Sequence, residues 1–91
     1  MHYRVDLEHV TDGHIEIESY NIRKTKKTAY SLAKTLSDSQ LFHKLNGSEN
    51  RYGEKAFARV WVQEVPDDDA ECFGILTAEF KYGKKTYETI G

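Results

Sequence analysis

Phe57-Ala58-Arg59-Val60-Trp61-Val62-Gln63-Glu64-Val65 is the stretch on which the fold turns. β-Branched and aromatic residues at alternating positions suit a pleated strand. Ala58, Val60 and Val62 form one face, and Phe57, Trp61 and Val65 the other, with Arg59 and Gln63 among them. Downstream, Pro66-Asp67-Asp68-Asp69 turns the chain back. Residues 71–82 are predicted as the next strand, with Cys72, Leu76, Ala78, Phe80 and Tyr82 on one face and Phe73 and Ile75 on the other. Gly83-Lys84 then marks a tight hairpin, and Lys85 to Ile90 a last short strand.

Upstream of that strand, residues 46–54 carry two Gly, a Ser and Asn and are expected to form a loop. Before it lies the one convincing helix, from about Thr25 to Ser37. Ala29, Leu32, Ala33 and Leu36 recur at i, i+3, i+4 and i+7, and Lys27, Ser31 and Lys34 lie opposite. Thr25 is the expected N-cap. Leu41, Phe42 and Leu45 fall off that stripe, so the helix should break at Ser37-Asp38-Ser39. A short second helical turn should then end at Asn46-Gly47.

The N-terminal third reads as two strands. Tyr3, Val5, Leu7 and His9 alternate with Arg4, Asp6 and Glu8, which argues a half-buried strand. Ile15 and Ile17 alternate with Glu16 and Glu18. A three-residue loop, Thr11-Asp12-Gly13, would set Leu7 opposite Ile17, whereas a two-residue turn would set it opposite Glu18 and mix the faces. The three-residue loop is therefore expected, with the second strand bulged or ending near Ser19. The order ββα(α)βββ predicts a single α+β domain over residues 1–91. Its antiparallel sheet of about five strands has one main helix packed on one face. Strand order stays open, because residues 46–57 allow the C-terminal hairpin on either side of the first.

Length and composition agree with this. Ninety-one residues with 31% charged and 38% hydrophobic side chains fit one small globular core. No apolar run approaches the roughly 20 residues that cross a bilayer. The charged start Met1-His2-Tyr3-Arg4 does not read as a secretory signal. A single cysteine excludes an internal disulfide and points to a cytoplasmic setting. Cys72, placed in an apolar pattern, reads as an inert core thiol.

Two features carry functional expectations. The first is Arg23-Lys24-Thr25-Lys26-Lys27, which puts four of thirteen cations at a helix start, where the helix dipole disfavours them. With Lys34 they form a candidate ridge for an acidic protein or for nucleic acid. Solvated lysines partly neutralised by Glu16 and Glu18 explain them without any partner. The net charge of −2 is unlike that of a typical nucleic-acid-binding domain. The second is the aromatic sheet face, Phe57, Arg59, Trp61 and Phe73. It is covered by the 41–45 segment, or is itself the core side of the sheet, or is open for a partner or a second copy.

Chemistry is otherwise unmarked. His2, His9, His14 and His43 show no metal-ligand spacing, and His9 and His14 are expected on opposite faces. No carboxylate sits in a pattern that burial would perturb, and no phosphate loop occurs. The sequence thus predicts no catalytic residues, metal or cofactor. It predicts a small non-enzymatic module that binds a larger protein or nucleoprotein complex, comparable in size and type to phage or mobile-element inhibitors. Direct nucleic-acid binding and a homodimeric assembly role are the alternatives, and no membrane association is expected.

Overall fold

In the computed structural model, which describes residues 1–69 and 74–89, two helices lie against one face of a five-stranded antiparallel sheet. The elements are β1 (His2–Thr11), β2 (His14–Arg23), α1 (Lys26–Leu36), α2 (Gln40–Leu45), β3 (Phe57–Val65), β4 (Ile75–Lys81) and β5 (Lys84–Glu88). Strand order is β2-β1-β3-β4-β5, so β3 joins the side of β1 away from β2 and carries the C-terminal hairpin on its own outer side. The α+β class and the element order agree with the sequence.

Paired residues of an antiparallel ladder share a face. Val5 pairs with Val62, Leu7 with Val60 and His9 with Ala58, and these side chains look toward the helices. Val60 pairs with Phe80 and Val62 with Ala78, which extends the same face across β4. Onto it α1 lays Ala29 and Ala33, both fully buried, with Leu32 and Leu36 beside them. Two alanines let the helix axis approach the sheet closely. Thr25 caps α1 as expected, its Oγ1 accepting the Thr28 amide at 3.2 Å. Ser39 caps α2 in the same way, accepting the Phe42 amide at 3.2 Å. Gly47 follows α2 with φ +85, where a side chain would be strained.

The short second helix does not cover the Trp61 face. Phe42 is fully buried in the same core as α1, and Leu41 is exposed. The break at Ser37–Ser39 redirects the chain enough for Phe42, which is off the α1 stripe, to reach the same side of the sheet.

Turns and bulges depart from expectation. Thr11 pairs with His14, so the first hairpin has a two-residue turn at Asp12-Gly13 instead of three residues. Ile15 then pairs with Val10 and Ile17 with Glu8, on the face opposite the helices. A bulge at Glu18 shifts the register, after which Tyr20 pairs with Asp6 and Ile22 with Arg4. The bulge resolves the phase conflict of β2 by putting all four large side chains on the helix-free face. In β4 a second bulge lets Gln63 pair with Leu76 while Val62 pairs with Ala78. Leu76 therefore leaves the Ala78/Phe80 face assigned to it. The last hairpin turns at Tyr82-Gly83, with φ of 53 and 76, one residue before the expected Gly83-Lys84. Cys72 and Phe73 lie outside the described residues.

Candidate functional site

The helix-free face begins on β1. Arg4, Asp6 and Glu8 were expected to face solvent, yet all three are buried. Their strand is an interior one, flanked by β2 and β3, whose side chains enclose it. Each acid has a basic partner. Arg4 Nη2 donates to Asp6 Oδ2 at 3.1 Å, and Gln63 Nε2 donates to the same oxygen at 2.9 Å. Asp6 Oδ1 lies 3.0 Å from Arg4 Nε but has no aligned donor among the described residues. Arg59 Nε donates to Glu8 Oε1 at 2.7 Å.

Burial raises the pKa of both Asp6 and Glu8, and their arginine partners only partly offset it. The expectation that no carboxylate is perturbed is thereby corrected. A strand that reads as half-buried by alternation becomes fully buried when it lies mid-sheet.

Above this floor stands an aromatic and aliphatic layer. The Arg59 guanidinium lies 3.6 Å from the Trp61 ring centre. Trp61 Nε1 donates to Glu79 Oε2 at 3.0 Å, and Thr86 Oγ1 donates to Glu79 Oε1 at 2.8 Å. Burial of Glu79 is outweighed by these hydrogen bonds from Thr86 and Trp61 and by Lys81, so its pKa is lowered. Lys81 Nζ sits 4.9 Å over the Phe57 ring. A cavity of about 250 Å³ opens between Trp61, Leu76, Ile15 and Ile17, with Glu8 and Gln63 below. Gly74 closes one side, its amide donating to Gln63 Oε1 at 3.0 Å. A Cβ there would stand 2.2 Å from the Glu64 carbonyl oxygen, so no larger residue fits.

Of the predicted contact residues, Phe57, Arg59 and Trp61 come together on this face, and Phe73 lies outside the described residues. The basic stretch is elsewhere. Arg23 ends β2 on the helix side, since it pairs with Tyr3. Lys26 is 3.8 Å from Glu88 and lies 5.5 Å over the Tyr30 ring. Lys24, Lys27 and Lys34 are exposed. Glu16 and Glu18, expected to neutralise this stretch, turn instead toward His9, His14 and Arg51.

The two-residue turn also brings His9 and His14 to one face instead of opposite faces, because their partners, Glu16 and Thr11, alternate on it. His9, Glu16 and Glu18 hold ligand atoms within 4.8 Å of one another. Sequence reading missed this cluster and the Ile15, Ile17, Tyr20, Ile22 row for the same reason: both depend on the length of one turn. No described helix is long and apolar enough to cross a membrane. The chain matches no family model, no curated protein and no solved structure.

Proposed function

We propose that the chain is a non-enzymatic protein-binding module that docks through its helix-free sheet face. One observation carries this. Ile15, Ile17 and Tyr20, exposed at 52%, 48% and 49%, line one face of an edge strand beside the Phe57, Arg59 and Trp61 group. Large apolar side chains aligned on one face favour association, and Trp, Tyr and Arg are the side chains that anchor interfaces. Charge favours a protein over nucleic acid as partner. Arg4 and Arg59 are engaged by Asp6 and Glu8, so the face offers phosphate little uncompensated positive charge. Lys24 and Lys27, exposed between β2 and the first turn of α1, would play at most a supporting electrostatic role.

A small single-domain binder without catalytic machinery suits an inhibitor that occupies a surface on a larger host protein or nucleoprotein complex. The phage or mobile-element setting rests on size and type alone. A lone cysteine accords with a cytoplasmic location. The test is capture from an extract of the native source by wild-type chain, Ile17→Asp, Trp61→Ala, and Lys24→Glu/Lys27→Glu. Loss of a specific captured protein with Ile17→Asp and Trp61→Ala, but not with the lysine reversal, supports the reading. Unchanged capture in the first two variants rejects it. Light scattering of the same variants separates a second copy of this chain from a different partner.

A further inference from the structure

We infer that His9, Glu16 and Glu18 form a divalent-metal site, with Zn²⁺ as the fitting ion. His9 and Glu16 face each other across the β1–β2 ladder, and Glu18 is the bulged residue two positions on. Alternation places Glu18 on the same side as Glu16, and a bulge is a device that re-aims such a side chain. The three ligand atoms lie within 4.8 Å of one another. Tetrahedral Zn²⁺ with N and O ligands at 2.0–2.2 Å separates them by about 3.4 Å. The gap to close is at most about 1.4 Å on the same geometry. Both glutamates are about one-third exposed, so rotation of their side chains can close it.

The independent observation is the state of His9, which is only 5% exposed. Ser48 Oγ lies 2.9 Å from His9 Nε2 and also donates its one proton to the Leu45 carbonyl at 2.7 Å. A hydroxyl has a single hydrogen, so toward His9 the Ser48 oxygen must accept, and Nε2 carries the proton. Nδ1 is left directed at the carboxylates, with Glu18 Oε1 4.0 Å away, beyond hydrogen-bond distance. A buried ring nitrogen aimed at two carboxylates, yet too far from Glu18 to hydrogen-bond it, leaves the spacing that an intervening cation fills. A metal-bound histidine held by a hydrogen bond on its other nitrogen is the usual arrangement of such sites.

Two carboxylates and a neutral imidazole balance the charge of a divalent ion. Softer nitrogen with two carboxylates favours Zn²⁺ over Mg²⁺ or Ca²⁺, which take all-oxygen shells. His14 Nε2, 3.2 Å from Glu16 Oε1, and Arg51 Nε, 3.9 Å from the same atom, are the groups the ion would compete with. Bound there, the ion would join both strands of the first hairpin and, through Ser48, the loop after α2.

The experiment is a zinc titration of the full chain against a competing chromophoric chelator, paired with thermal melts and imidazole-nitrogen NMR. Glu16→Gln/Glu18→Gln removes two ligands while keeping the shape. Ser48→Ala removes the support of His9. His2→Ala/His43→Ala controls for surface histidines beside Asp67 and Asp38. The expected result is one zinc per chain, a raised melting temperature, and a His9 Nδ1 resonance that moves while Nε2 stays protonated. Affinity should fall about 10–100-fold in Ser48→Ala, vanish in the double glutamine variant, and persist in the histidine control. Absence of a stoichiometric site overturns the inference. So does binding unchanged by the glutamine pair, or a His9 ring protonated on both nitrogens and indifferent to zinc.

Discussion

Arg59 holds Trp61 and Glu8 at once: its guanidinium lies 3.6 Å from the indole centre while its Nε donates to the Glu8 carboxylate at 2.7 Å. One side chain thus fixes a half-buried aromatic and neutralises a buried acid. The proposed docking face would depend on this coupling, because an unsupported indole would sample several rotamers and lose entropy on binding.

Removing Arg59 should therefore affect stability more than a surface substitution would. Arg59→Ala leaves Glu8 buried without its cation, a loss of about 3–5 kcal/mol when such a pair is broken. Adding Glu8→Gln to Arg59→Ala should recover part of it, since the stranded charge is gone. Urea unfolding of the two single variants and the double variant checks this. Additive losses would show that the two residues do not interact.

The pH dependence has a definite sign. Asp6 and Glu8 have folded pKa values raised above their ordinary 3.8 and 4.5 by burial, so the folded state binds more protons than the unfolded state from those values upward. Their contribution to stability falls as pH rises through that window and is regained on acidification. Glu79, Glu88 and Asp67 are shifted down and act oppositely, losing stabilisation as pH falls through their folded values. Wild type should accordingly gain on Asp6→Asn as pH is lowered from neutrality toward 4. Urea midpoints across a pH series measure the gap. A gap that narrows in wild type's favour as pH rises would contradict the burial argument.

Phe42 tests the placement of the second helix. It is fully buried among Val60, Phe80 and the α1 alanines, and its ring meets Tyr82 edge-on at 5.3 Å. Phe42→Ala should cost about 3–5 kcal/mol, read as a lowered denaturation midpoint. Leu41→Ala, on the exposed side of the same helix, should stay within about 0.5 kcal/mol. Similar losses in both would mean that α2 presents a different side to the sheet.

Gly74→Ala should destabilise by about 1–3 kcal/mol, because its Cβ would meet backbone at Glu64 that cannot rotate away. A variant as stable as wild type would show that the chain around residue 74 adjusts freely.

The sequence made the helix side of this molecule legible and the other side much less so. Ala29, Leu32, Ala33 and Leu36 repeat at helical spacing, and Val60 and Val62 at strand spacing, so periodicity alone locates the main core. The helix-free face is built by events that periodicity does not encode. One residue more or less in the Asp12-Gly13 turn moves Ile15 and Ile17 across the sheet. The extra residues at Glu18 and Thr77 then reverse the faces of everything beyond them. Burial of Asp6 and Glu8 was hidden for another reason. Alternating charges signal a solvated face only on a strand with an open side, and β1 lies between β2 and β3. Phe57, Arg59 and Trp61 share a face as expected because β3 is regular along the residues that carry them.

The most direct test of the account is the comparative capture of partners by wild type, Ile17→Asp and Trp61→Ala, each confirmed folded by circular dichroism. The account expects a specific protein to be retained by wild type and lost from both variants, while Lys24→Glu/Lys27→Glu keeps it. Retention by Ile17→Asp and Trp61→Ala, with loss only on reversing the lysines, would contradict it and move the docking surface to the start of α1.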